Sequence, residues 1–249
     1  MGARVAVVTG GSRGIGSATA HLLAARGWDV CLTFRDREAN AADVVARCTG
    51  LGRRALAVRA DVSREADVLE LFARVDRDLG PIDALVNNAG VVAAKSRVEE
   101  MAVDRVQRMF GVNVVGAFIC AREAIRRMST RRGGQGGAIV NVSSVASRIG
   151  SPGEYVDYAA SKAAIDAMTL GLSKEVAGDG IRVNAVRPGI VDTEIHASGG
   201  QPDRVERLKH AVPMRRAGLP DEIAHAIVWL CSDEASYVTG ALLDVSGGR

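Results

Sequence analysis

The chain has 249 residues, 47% of them hydrophobic, which is enough to bury a substantial core, and its 28 glycines and 6 prolines are too few for a collagen-like or low-complexity sequence. Its 32 basic and 29 acidic residues leave a formal charge of +3, too small an excess to point to nucleic acid, and the arginine pairs at 53–54 and 131–132 lack interleaved aromatics. Four scattered cysteines with no CxxC pair indicate neither a compact metal site nor a disulfide framework, and no apolar run nears the roughly 20 residues of a membrane span, so a cytoplasmic protein with reduced thiols is expected.

The opening apolar run breaks at glycines after position 9, too early for a secretion signal. It reads instead as a buried strand over residues 4–9, formed by Val5, Ala6, Val7 and Val8. A helix is expected at 14–26, where Ile15, Ala18, Leu22 and Ala25 share a face. Strand 29–34, helix 38–49, strand 55–59, helix 65–79 and strand 84–87 continue the alternation. A long helical region over 98–128 follows, with Gly111 and Gly116 as places where it can bend. Strand 138–142, helix 155–176, strand 182–187, helix 221–231 and strand 241–244 complete the chain. Strands separated by helices long enough to cross a sheet predict a doubly wound α/β fold of Rossmann type, with a mostly parallel, seven-stranded sheet and helices on both faces.

The glycine-rich stretch 131–137 suits a turn better than a linker, so residues 1–249 are expected to form one dinucleotide-binding and catalytic domain. Segment 193–219 interrupts the alternation with Gly199-Gly200, Pro202 and Pro213, and is read as a substrate lid over the carboxyl edge of the sheet.

Between the first strand and the first helix, Gly10, Ser12, Arg13, Gly14, Ile15 and Gly16 form a GxxxGxG turn, where backbone N–H groups and the helix dipole can receive an anion. No lysine follows it, which disfavours triphosphate hydrolysis. Other strand ends bring Arg35, Asp61-Val62, the run Asn87-Asn88-Ala89-Gly90 and Pro188-Gly189 to the same edge, as a groove for a dinucleotide. Arg35 stands where an acidic residue would bind the ribose of NAD. Together with Arg13 it can grip a 2′-phosphate, so NADP is expected in preference to NAD, although Asp36 follows immediately.

Tyr158 and Lys162 lie four residues apart on one helical face, where an ammonium would favour the phenolate and make the tyrosine a usable proton donor and acceptor. Ser143-Ser144 ends the fifth strand and can offer a hydroxyl to a substrate oxygen, or cap local backbone. No GxSxG elbow accompanies these serines, and the four histidines suggest no triad.

In this order the glycine turn, Asp61, the Asn87–Gly90 run, Asn113, Ser144, Tyr158 with Lys162, and Pro188-Gly189 leading to Thr193 resemble the classical short-chain dehydrogenase/reductase family over nearly the whole chain. The resemblance implies that Tyr158 exchanges a proton with the substrate oxygen while NADP(H) exchanges hydride, that Ser144 holds that oxygen, and that Lys162 lowers the Tyr158 pKa and binds ribose hydroxyls. It also implies that Asn113 bends its helix and holds a relay water through its backbone carbonyl. Asp61 and Val62 would address adenine, Asn87 and Gly90 would line the cofactor, and Ile190 with Thr193 would position its carboxamide. Thirteen residues separate Ser144 from Tyr158, one more than is common in similar reductases.

Arg148, Glu154 and Asp157 make the approach to Tyr158 polar, and His196 lies in the lid, so interconversion of a carbonyl and a secondary alcohol on a sugar or polyol is expected. The alternatives are a 3-oxoacyl-thioester reductase, with Ile149, Ile195, Val205 and Leu208 lining the pocket, and a non-catalytic dinucleotide-binding regulator. A homotetramer is expected, with no nucleic-acid or membrane partner.

Overall fold

The computed structural model describes residues 2–249, the side chain of His196 excepted. Its frame is a seven-stranded sheet in the order β3-β2-β1-β4-β5-β6-β7, every neighbouring pair parallel. The strands are β1 (Val5–Val8), β2 (Asp29–Phe34), β3 (Ala55–Arg59), β4 (Ala84–Asn87), β5 (Gly137–Val142), β6 (Ile181–Pro188) and β7 (Leu242–Val245). The helices are α1 (Gly14–Ala25), α2 (Glu38–Gly50), α3 (Glu65–Asp78), α4 (Val103–Phe110), α5 (Gly116–Met128), α6 (Ala146–Ile149), α7 (Val156–Glu175), α8 (Ile195–Ser198), α9 (Arg204–Leu208) and α10 (Pro220–Cys231).

The continuous apolar runs of the central strands follow from helices covering both sides. Ala6, Val8, Val30 and Leu32 pack with α1, α2 and α10, while Val5, Val7, Cys31 and Leu85 point the other way onto α3, α5 and α7. Because the chain moves outward from β1 to β3 and then returns to β4 on the opposite side of β1, the crossovers diverge between β1 and β4. A crevice opens there, at the carboxyl ends of the strands.

The region expected as one helix over 98–128 is divided. A 3₁₀ turn at Val98–Glu100 is separated from α4, and a π-helical turn at Gly111–Val115 joins α4 to α5. Gly116 serves close packing there: a Cβ on it would lie 2.7 Å from Val62 Cγ2. All four cysteines are buried and free; burial pushes the Cys31, Cys120 and Cys231 thiols up to about 12 and also raises Cys48. No helix among the described residues is long and apolar enough to cross a membrane.

Candidate active site

Two adjoining hollows lie over the carboxyl edge of the sheet and share Ile15, Asn88, Gly90, Thr193 and Ile195, so they form one trough. One half runs over the glycine turn to the ends of β2 and β3. The other contains Ser144, Tyr158 and Lys162.

The turn is held from beneath by the end of β4. Thr9 Oγ1 accepts the N–H groups of Asn88 and Ala89, both at 3.0 Å, while Asn88 Nδ2 donates to the Thr9 and Gly10 carbonyls at 2.8 and 3.0 Å. A Cβ on Gly16 would come within 2.4 Å of the Gly10 carbonyl oxygen, and Gly10 has φ +65°, so side chains are excluded where the turn closes on α1. A bare backbone cradle at the start of a twelve-residue helix fits the phosphates of a dinucleotide. Gly10, Ser12, Arg13, Gly14 and Ile15 line the trough, whereas Gly16 packs beneath it.

Three arginines border the far end. Arg35 Nε donates to Asp36 Oδ2 at 2.7 Å, and Arg13 Nη1 reaches Ser198 Oγ on α8 at 3.2 Å. Burial and then the charge of Arg37 hold Arg13 below its ordinary value. Arg37 was not among the residues expected here, although Arg35-Asp36-Arg37 is visible as a charged run. Asp61 and Val62 line the same end. Burial opposes the Asp61 charge, but hydrogen bonds from Ser63, with Arg35 and Arg64, hold its carboxyl below the usual range.

In the other half, Tyr158 and Ser144 line the same wall, and the Ser144 Oγ accepts the Ala146 N–H at 3.1 Å. Lys162 Nζ donates to the Val142 carbonyl at 2.7 Å and lies 5.7 Å from the centre of the Tyr158 ring. Ser143 also lines this half, but its Oγ donates to the Lys162 carbonyl at 3.1 Å. Gly150, Ser151 and Gly153 all adopt left-handed backbone, so the extra residue before Tyr158 is accommodated in a tight turn while Ser144 and Tyr158 still line the same hollow. Ala89, Gly90, Pro188, Gly189, Ile190 and Thr193 all line the trough.

Two expected site residues stand behind this surface. Asn113 sits in the π-helical turn, and its side chain clamps Val91: Oδ1 accepts the Val91 N–H at 2.8 Å, and Nδ2 donates to the Val91 carbonyl at 3.0 Å and to Ser161 Oγ at 3.1 Å. Asn87 turns its side chain away from the trough, donating to the Ala117 carbonyl and to Asn141 Oδ1; Asn88 lines the trough in its place.

None of the charges expected in the substrate wall lines it, and each is paired with another side chain. Asp157 receives two hydrogen bonds from Arg105, Glu154 pairs with Arg204 at 2.7 Å, and Arg148 pairs with Asp244 at 3.0 Å. Ile149 and Ile195 line this half; Val205 and Leu208 do not. The side chain of His196 lies outside the described residues. Segment 193–219 contributes Thr193, Ile195 and Arg204, and it is tied to the turn before α7 by hydrogen bonds joining Tyr155, Gln201 and Arg207. Arg204 and Arg249 also line this half, and neither carried a local sequence signal.

Residues 10–249 match the family model described as Enoyl-(Acyl carrier protein) reductase. The chain is 54% identical over 245 residues to the uncharacterised oxidoreductase YgfF of Escherichia coli, covering 98% of this chain and 99% of that protein. It is 41% identical to cis-4-hydroxycyclohexanecarboxylate dehydrogenase of Sinomonas cyclohexanicum (98% and 96% covered) and 36% identical to glucose 1-dehydrogenase 2 of Bacillus subtilis (98% and 94% covered). The crystal structure of a short chain dehydrogenase from Burkholderia cenocepacia in complex with NADP superposes with a TM-score of 0.91 at 33% identity, covering 98% of this chain and 97% of that one.

Proposed function

The chain belongs to the short-chain dehydrogenase/reductase family and is an NAD(P)-dependent oxidoreductase, and from that premise we propose that it interconverts a carbonyl and a secondary alcohol with NADP(H). The observation that carries the reading is the convergence of Ser144, Tyr158 and Lys162 in one half of the trough whose other half runs over the glycine turn.

A bound nicotinamide dinucleotide supplies or accepts the hydride. Ser144 and Tyr158 donate hydrogen bonds to the substrate oxygen, and Tyr158 delivers its proton as that oxygen becomes a hydroxyl. Lys162, fixed by the Val142 carbonyl, holds positive charge beside the phenol and presents donors to a ribose. Asn113 keeps the Val91 segment in place, and the lid at 193–219 excludes water. Arg13, Arg35 and Arg37 select the 2′-phosphate of NADP.

Similarity to a glucose dehydrogenase supports a sugar or polyol substrate. Ile149 and Ile195 in the lining, together with the pairing of Arg148, Glu154 and Asp157 behind it, favour a ring with an apolar face. The same apolar lining supports a 3-oxoacyl thioester as the second reading. The reading extends to a cytoplasmic homotetramer, with Val103, Val115 and Phe118 on α4, the π-helical turn and α5 as interface residues.

The test is a cofactor-coupled absorbance screen in both directions with aldoses, polyols, cyclic ketones and acyl thioesters. Turnover of a secondary alcohol or ketone is expected. Absence of hydride transfer across the panel, with the dinucleotide still bound, would leave the non-catalytic binding protein instead.

A further inference from the structure

The catalytic half of the trough is lined by three cationic side chains, Lys162, Arg204 and Arg249, and by no aspartate or glutamate among the described residues. Lys162 is engaged with the Val142 carbonyl. Arg204, on α9 and only 8% exposed, directs Nη1 at Glu154 and lies over the Tyr155 ring, 5.0 Å from its centre. It lines the same cavity as Tyr158.

Arg249 is different, because its Nη1 is buried and has no hydrogen-bond partner. Its backbone is held: the carbonyl oxygen accepts from Arg148 Nη2 at 3.2 Å and from Ser246 Oγ at 3.1 Å. A guanidinium N–H removed from water with nothing to receive it is costly, and an oxyanion relieves that cost better than a neutral hydroxyl. The dinucleotide phosphates are not the natural partner, since neither Arg204 nor Arg249 lines the half of the trough above the glycine turn. The same half is also lined by Val145, Ile149, Ile190 and Ile195.

We propose that Arg249, supported by Arg204, is a seat for a carboxylate on the substrate, so that the preferred substrate is a small ring alcohol or ketone bearing a carboxylate. The proposal rests on the hydride-transfer reading above and deepens it by assigning the substrate's charge. The planar guanidinium accepts a carboxylate through paired N–H donors, while the apolar residues cover the ring. A site of this kind rejects the uncharged isostere strongly, because that isostere leaves the buried donor unsatisfied.

The test is calorimetric titration of cyclohexanecarboxylate and cyclohexanecarboxamide into enzyme saturated with NADP⁺, as wild type and as Arg249→Gln. The two probes share a ring and differ in charge. In the wild type the carboxylate is expected to bind about tenfold tighter or more, and the preference should shrink to about threefold or less in the variant. Equal affinities in the wild type, no binding of the carboxylate, or a preference undiminished in Arg249→Gln each overturn the seat. Parallel turnover of cyclohexanol separates the two claims. Oxidation of this alcohol without a carboxylate preference sinks the seat and keeps the reaction class; a carboxylate preference lost in Arg249→Gln, with no turnover of any ring alcohol, does the reverse.

Discussion

Lys162 Nζ lies 5.7 Å from the centre of the Tyr158 ring, and burial drives the two groups in opposite directions. The lysine is brought down to about 8, while the tyrosine is raised, because burial outweighs the opposing influence of the Ser144 hydroxyl and the charge of Arg204. The sequence led to the opposite expectation for Tyr158. A phenol that keeps its proton through neutral pH is ready to donate, so carbonyl reduction should hold its kcat/KM across neutrality and fall above about pH 8, as Lys162 loses its charge and then as pH climbs toward the raised tyrosine value. Alcohol oxidation needs the phenolate and should rise with pH. Profiles measured in both directions with one substrate pair check this; parallel profiles would contradict it.

Tyr158→Phe keeps the ring and removes the proton. Its kcat should fall about 10²–10⁴-fold, with the dissociation constant for the cofactor changed by less than about threefold. Retention of more than a tenth of wild-type turnover would sink the assignment of Tyr158 as proton donor.

Stability should carry the signature of the buried lysine. With a native value of about 8 against 10.5 for the free side chain, Lys162 is protonated in both states below pH 8, and the cost of burying its charge is present in full. Between about pH 8 and 10.5 the unfolded chain binds more protons than the native one, so stability rises with pH. Urea unfolding of wild type and Lys162→Met across this range should show the wild type gaining up to ~3 kcal/mol relative to the variant. A constant difference would remove the shifted lysine from the account.

Cofactor choice should depend on the arginine border. Wild type is expected to bind NADPH tighter than NADH, and Arg35→Ala to weaken NADPH about tenfold while leaving NADH within about twofold. Since Asp36 holds Arg35 at 2.7 Å, Asp36→Asn should strengthen NADPH binding. Fluorescence titration of both nucleotides reads all three; identical NADPH and NADH constants throughout would show that no side chain here selects the phosphate.

Phe118 and Val115 are each 49% exposed and Val103 is 69% exposed, an apolar strip unusual for a surface helix. Sedimentation should give a particle four times the 26.1 kDa of one chain, and Phe118→Glu should reduce it. A 26.1 kDa wild-type species at micromolar concentration would end the tetramer proposal.

The alternation of strands and helices was legible because strands covered on both faces have to be apolar without a break, and the glycine turn because only bare backbone closes on itself so tightly. The choice between Asn87 and Asn88 was not legible. Successive residues at a strand end point to opposite sides, and the strand's last hydrogen bonds decide which one meets the trough. Asp157 misled for a similar reason: a residue adjacent to Tyr158 on a helix is turned about a quarter of the way round and faces Arg105 instead. Arg204 and Arg249 reach the cavity through the path of the chain after β6, which no local periodicity encodes.

The burial of all four thiols makes the protein a clean background for labelling. A thiol held near 12 has almost no thiolate at neutral pH, and Cys48 is screened by the helices around it, so maleimide should leave the native chain unmodified. A cysteine placed at the exposed position Asp203, beside α9, would then carry the only dye or spin label, without removal of any native residue. Movement of the segment above the trough becomes directly observable from that single attachment point.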